Sequence, residues 1–298
     1  MIYYLLLILS TLMSTGKAIF CKAIGTEGGS KKEKALLNFK AFVVAFLSAL
    51  LFTIKDIGRL FEISAFSFVL SIFFGLSIAL TQIFQSKALG QGPASTVTLI
   101  YACGFLIPIF YGLFFWGESV SLFQWLGIVL LLFSLTLCLI KKEKHRELSS
   151  WIPVAVAAMI GSGASAVFQK THQYSEFSSE ISFYLLFCLF FSSIFTGIAY
   201  LFTGDEQSVK KEAVDKKRAF SKNFIIPVCL GICVGVLNFL NLILSGNLPS
   251  VILFPIYNVG SMLLVILLSA IIYKDKMTML QKIGFLLGIA AILLIGLF

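Results

Sequence analysis

Apolar residues run through this sequence in blocks of about 20, each broken by a short charged or turn-forming stretch, and the blocks recur from one end to the other. A helix rises about 1.5 Å per residue, so about 20 such residues span the ~30 Å hydrocarbon core of a bilayer. The pattern predicts ten membrane-crossing helices, near 2–23, 36–54, 64–86, 94–115, 122–140, 151–171, 180–202, 223–245, 249–273 and 280–297. The first block has no basic leader and no small-residue cleavage pattern, and it is too long for the apolar part of a signal peptide, so it is expected to stay as a helix. The longest break, Thr203 to Lys222, holds about 20 residues and cannot bury a core. An all-α membrane protein is the expected fold class, with function inside the bundle or at its faces.

Composition points the same way, with 59% hydrophobic and 12% charged residues against roughly 25% charged in a soluble domain. The formal charge of +9 is not read as a nucleic-acid footprint, because the basic residues lie in the breaks between apolar blocks. Nineteen of the 23 Lys and Arg fall in or beside the breaks after odd-numbered helices; only Lys55, Arg59 and Lys170 fall in or beside those after even-numbered ones, and Lys17 lies well within the first helix. By the positive-inside rule the odd breaks are cytoplasmic, which puts both chain ends on the non-cytoplasmic side of the cytoplasmic membrane.

Comparing the halves exposes a repeat. At an offset of 156, Gly75 aligns with Gly231, Gln82 with Asn238, Gln85 with Asn241, Gly90 with Gly246, Pro93 with Pro249, Tyr101 with Tyr257 and Gly104 with Gly260. At 157 the register continues through Glu118 and Asp275, Gln124 and Gln281, Gly127 and Gly284. At 148 Ser14 falls on Ser162, Phe20 on Phe168 and Lys22 on Lys170. Chance apolar similarity does not align glycine, proline and amides together. Each repeat holds five helices, and an odd number makes the second copy enter the membrane from the opposite side. Two inverted bundles around an in-plane pseudo-two-fold axis form a midplane cavity that can open to either face, the geometry of alternating access.

Two five-helix repeats over all 298 residues, a Gly/Pro step at Gly90, Gln91, Gly92 and Pro93, an acidic residue at Glu118 after Gly117, and the Gln124 to Gly127 start of the fifth helix together resemble the drug/metabolite transporter superfamily and its EamA-type repeat. The resemblance implies ten helices, with the third and fourth of each half around a substrate cavity. The repeats would occupy 1–140 and 151–298, joined by a basic connection at 141–150. The second repeat departs from the pattern, carrying Lys274, Asp275 and Lys276 where the first has Gly117, Glu118 and Ser119.

Polar side chains in hydrocarbon face protein or a watery cavity. Ser10, Ser14, Lys17 and Cys21 share one face of the first helix; Ser162, Ser165, Gln169 and His172 share one face of the sixth, with Ser165 at the position of Lys17. Ser71, Gly75, Gln82 and Gln85 mark the third helix, matched by Gly231, Gly235, Asn238 and Asn241 on the eighth. Such groups can simply bond helices together. Their symmetric recurrence makes Ser14, Lys17, Gln82, Gln85, Ser162, Ser165, Asn238 and Asn241 candidate solute contacts, and the four amides are expected to converge on one cavity. The paired Tyr101 and Tyr257, with Asn258, offer a flat apolar face and polar tips to the same solute. Pro108 and Pro255 lie within helices and are expected to kink them.

Lys17 is the one ionisable residue well inside an expected helix, and no Asp or Glu accompanies it. In the small multidrug relatives of the superfamily an embedded carboxylate couples cations to protons; none is offered here, which disfavours a permanent cation. Lys17 either holds an anionic or zwitterionic group or extends its stem to the interface. The six cysteines, Cys21, Cys103, Cys138, Cys188, Cys229 and Cys233, lie in or at the ends of helices and are read as apolar packers; His145 and His172, at helix ends, are read as exposed.

The expected function is secondary transport of a small polar metabolite, such as an amino acid or an organic anion, by alternating access and in the outward direction. The alternative is a flippase for a lipid or a polyprenyl-phosphate-linked carrier. No H-E-x-x-H, G-x-S-x-G or phosphate-binding loop occurs, so an enzyme is not expected. The expected partners are the solute and the bilayer, with no cofactor and no nucleic acid, in a monomer or homodimer.

Overall fold

The computed structural model describes residues 2–27, 29–54, 58, 62–92, 94–139, 151–204, 221–272 and 278–297. Expectations for Pro93, His145, the 141–150 connection and Lys274 to Lys276 lie outside the described residues, as does the side chain of Cys138. The described residues form helical rods: α1 (Ile2–Glu27), α2 (Lys31–Thr53), α3 (Ala65–Gln91), α4 (94–115), α5 (Leu122–Leu139), α6 (Ile152–Gln173), α7 (Ile181–Phe202), α8 (Ile226–Ser245), α9 (Ser250–Ile272) and α10 (Met279–Leu297). Nine stretches among the described residues are helices long and apolar enough to cross a membrane, and α5 adds a shorter apolar stretch, Leu122–Leu137. The chain is an all-α, multi-pass membrane protein.

Helix ends differ from expectation where polar residues interrupt the apolar run without ending the helix. α3 continues through Gln85, Ser86 and Lys87 until the Gly92 N–H closes onto the Ala88 carbonyl. α2 starts at Lys31, five residues early, because Ser30 caps it by accepting from the Glu33 N–H at 3.2 Å. The repeated Gln124 and Gln281 have a local reason. Each closes a capping box, with Ser121 N–H donating to Gln124 Oε1 at 3.0 Å and Thr278 N–H donating to Gln281 Oε1 at 3.0 Å.

Of the two prolines expected to kink helices, one interrupts its helix. α4 is Ala94–Ala102, a single 3-10 turn at Cys103–Phe105, and Leu106–Phe115. Pro108 has no N–H for the Gly104 carbonyl, and the helix tightens at that turn. Pro255 sits inside α9 without interrupting it.

The helix neighbours fall into matched pairs. α3 packs on α6 and α8 on α1; α8 packs on α2 and α3 on α7; α1 packs on α9 and α6 on α4; α2 meets α7, and α5 meets α10. Exchanging each helix with the one five places on maps this set of neighbours onto itself. Glycines set the close approaches. A Cβ on Gly75 would lie 2.6 Å from the Cys188 carbonyl of α7, and one on Gly231 would lie 2.4 Å from the Ala41 carbonyl of α2. Gly104 abuts Met159 of α6 as Gly260 abuts Thr11 of α1. Large apolar side chains such as Phe114, Phe115, Leu201 and Phe202 are exposed on the outside of the rods, as a lipid-facing surface requires.

Candidate functional site

The stripe of α1 faces α8 and α9. Ser10 Oγ donates to Asn241 Oδ1 at 2.5 Å, and Ser14 Oγ donates to Ser261 Oγ at 3.1 Å. One turn on, the half-buried Lys17 turns aside to α4, where Nζ lies 3.4 Å from the Tyr101 hydroxyl and 5.9 Å from its ring centroid. Lys17 is ten residues from Glu27 at the helix end, about 15 Å of rise. No Asp or Glu among the described residues pairs with it, so its charge meets only a neutral phenol. Tyr257 is buried, with its ring edge-on to Phe254 at 6.0 Å between centroids. The Asn258 carbonyl accepts from Ser261 Oγ at 2.8 Å, which ties this group back to Ser14.

Three of the four amides, Gln82, Asn238 and Asn241, bond neighbouring helices rather than each other. Gln82 Nε2 reaches Asn38 Oδ1 of α2 at 3.2 Å and Cys21 Sγ of α1 at 3.3 Å. Asn238 Oδ1 accepts from Gln169 Nε2 of α6 at 2.9 Å. Cys21 and Gln169, 148 positions apart in the sequence, each bond one of these amides. Asn241 is taken by Ser10, whose equivalent is Ala158; Gln85, lacking that hydroxyl, keeps a buried carboxamide oxygen with no partner, as does Gln82 Oε1. On α6 the symmetry ends: Ser165 Oγ donates to the Ser162 carbonyl of its own helix at 2.7 Å, while buried Ser162 lies against Gly104.

His172, expected to be exposed, is fully buried: its ring stacks on Tyr184 with centroids 3.9 Å apart, and Nε2 lies 3.2 Å from Ser67 Oγ. It closes the end of α6 against α3 and α7, and these two neighbours leave no water at the ring.

A second charged centre, which the sequence reading placed in loops, is built around Lys170 and Glu118. Lys170 is 0% exposed and Glu118 is 9% exposed, and the two form an ion pair. Gly117, with φ +64°, reverses the chain after α4 so that the Glu118 N–H reaches the Gly112 carbonyl at 3.1 Å. Gly112 leaves the notch for the carboxylate, since a Cβ there would lie 2.4 Å from Glu118 Oε2. The carboxylate also accepts from the Ser250 N–H at 3.0 Å, at the positive end of α9, and from the Tyr174 hydroxyl at 3.2 Å. Lys170 Nζ donates to the Leu248 carbonyl at 2.9 Å and lies 5.8 Å and 5.4 Å from the Trp116 and Tyr174 ring centroids. Removing one partner of a buried pair typically costs about 3–5 kcal/mol, because the other charge is left uncompensated. The signal in the sequence was the repeat itself, which carries a Lys at 22 and 170 and an acid at 118 and 275.

No known family profile matches the chain, and no curated protein matches it. Twenty-nine chains of solved structures do match. One, described only as a crystal structure of a protein, aligns at TM-score 0.77 and 15% identity, covering 99% of this chain and 96% of its own. At that identity the likeness shows the fold alone.

Proposed function

We propose that this protein is a secondary transporter that moves a small polar solute, anionic or zwitterionic, across the cytoplasmic membrane by alternating access, in the outward direction. The observation that carries this reading is the contrast between the two lysines within the bundle. Lys170 is paired with Glu118, whereas Lys17 lies against the Tyr101 hydroxyl with no acidic partner among the described residues. Intramembrane cations persist where they serve a pathway. A carboxylate or phosphate on Lys17, with the Tyr101 hydroxyl and ring beside it, would be bound by one charge and a neutral dipole. Such a site suits a solute that must also leave.

The architecture that supports alternating access is the drug/metabolite transporter arrangement, ten crossing helices in two inverted five-helix repeats. Its support is the helix neighbourhood that exchanges with itself on swapping halves, together with the matched glycine contacts. The protein acts without chemistry on the solute. Purified protein in liposomes should take up a labelled amino acid or organic anion saturably, and Lys17→Gln should raise the KM for that solute and not for a neutral one. Equal uptake by parent and variant would remove the charge from the site.

A further inference from the structure

We infer that Glu118 and Lys170 are the latch of a gate at the end of the bundle that carries the α4–α5 and α6–α7 turns, closed in this structure and opened in every transport cycle; the inference rests on the transporter reading above. The pair joins the two halves. Glu118 belongs to the first, while Lys170, Tyr174, Leu248 and Ser250, which hold it, all belong to the second. Alternating access requires contacts between halves that form at one face while the other face is open.

The second observation is the asymmetry of the two ends. Lys22 occupies the position of Lys170 in the first repeat, yet Lys22 is exposed and Lys170 is fully buried. Two equivalent lysines in different surroundings are what a two-state bundle shows when one end is shut. The construction also favours reversibility. The groups that meet at the pair are a turn set by Gly117, a helix N-terminus at Ser250 and two ring faces, all of which can part without unwinding a helix. The Trp116 and Tyr174 rings, stacked with centroids 5.6 Å apart, cover the pair from either half.

The test separates a latch from a permanent staple. In a cysteine-free protein carrying Trp116→Cys and Tyr174→Cys, a short bifunctional thiosulfonate joins the two halves across the pair. Transport should stop on cross-linking and return on reduction; transport at the uncross-linked rate would overturn the latch. A second readout needs no solute. With Tyr257→Cys as the sole thiol, a membrane-impermeant maleimide applied to right-side-out and inverted vesicles should label about tenfold faster from the Glu118 face in Glu118→Gln, because losing the pair shifts the population toward open. Unchanged labelling in folded Glu118→Gln and in Lys170→Met would refute the gate. Faster labelling in a protein that carries no solute would leave the gate standing and remove the transporter reading.

Discussion

The ammonium of Lys17 lies 3.4 Å from the hydroxyl of Tyr101, so α1 and α4 of the same half meet through a charged donor and a neutral acceptor. A charge-assisted hydrogen bond contributes about 1.5–3 kcal/mol, or roughly 10- to 100-fold in affinity. Lys17→Gln should weaken an anionic solute by about that factor and a neutral analogue by little, while Lys17→Arg keeps the charge and disturbs the geometry. Competition for uptake by paired anionic and neutral solutes measures it, and parallel losses for both would mean that Lys17 serves only the packing.

The amides are expected to divide by their partners. Ser10→Ala strips Asn241 of its 2.5 Å donor and should lower stability by about 0.6–2 kcal/mol, the range of interhelical bonds in membranes. Transport per folded molecule should be unchanged. Gln85→Leu replaces a buried carboxamide whose oxygen has no partner, so it should leave stability equal or improved. Thermal unfolding in detergent beside transport per folded molecule distinguishes the two, and a large stability loss in Gln85→Leu would show a bond formed in another state.

Gly75→Ala and Gly231→Ala should fail together, since each new methyl meets a carbonyl oxygen at 2.6 Å and 2.4 Å on the partner helix. Overpacking of this kind costs about 1–3 kcal/mol. Gly296→Ala, whose nearest neighbour is at 3.8 Å, serves as the control. If one of the first pair is silent in a melting experiment, the two halves are not packed alike.

The long apolar helices were legible in the sequence because bilayer thickness fixes helix length. The Gly75 and Gly231 pairing is visible as two aligned letters. What the letters conceal is the direction in which a polar side chain turns. Gln82 and Asn238 look like a symmetric lining, yet each bonds across to its neighbour at Cys21 or Gln169. Lys170 and His172 look interfacial because they end an apolar run, and their burial comes from other helices closing over that end. A buried pair such as Glu118 and Lys170, 52 residues apart and on different halves, is formed only by the fold.

By the positive-inside rule the distribution of lysine and arginine predicts a cytoplasmic 141–150 connection and a C-terminus on the other side. A reporter active only in the cytoplasm should give signal when inserted in that connection and none when fused after Leu297. The opposite pattern would invert the protein and move the Glu118 gate to the cytoplasmic face.

The most direct test is solute movement by the protein alone. Purified protein in liposomes, supplied with a panel of labelled amino acids and organic anions and, in parallel, a fluorescent lipid analogue, should show saturable uptake and counterflow of at least one charged solute, slowed by Lys17→Gln. Movement of the lipid analogue with no uptake of any water-soluble solute would contradict it.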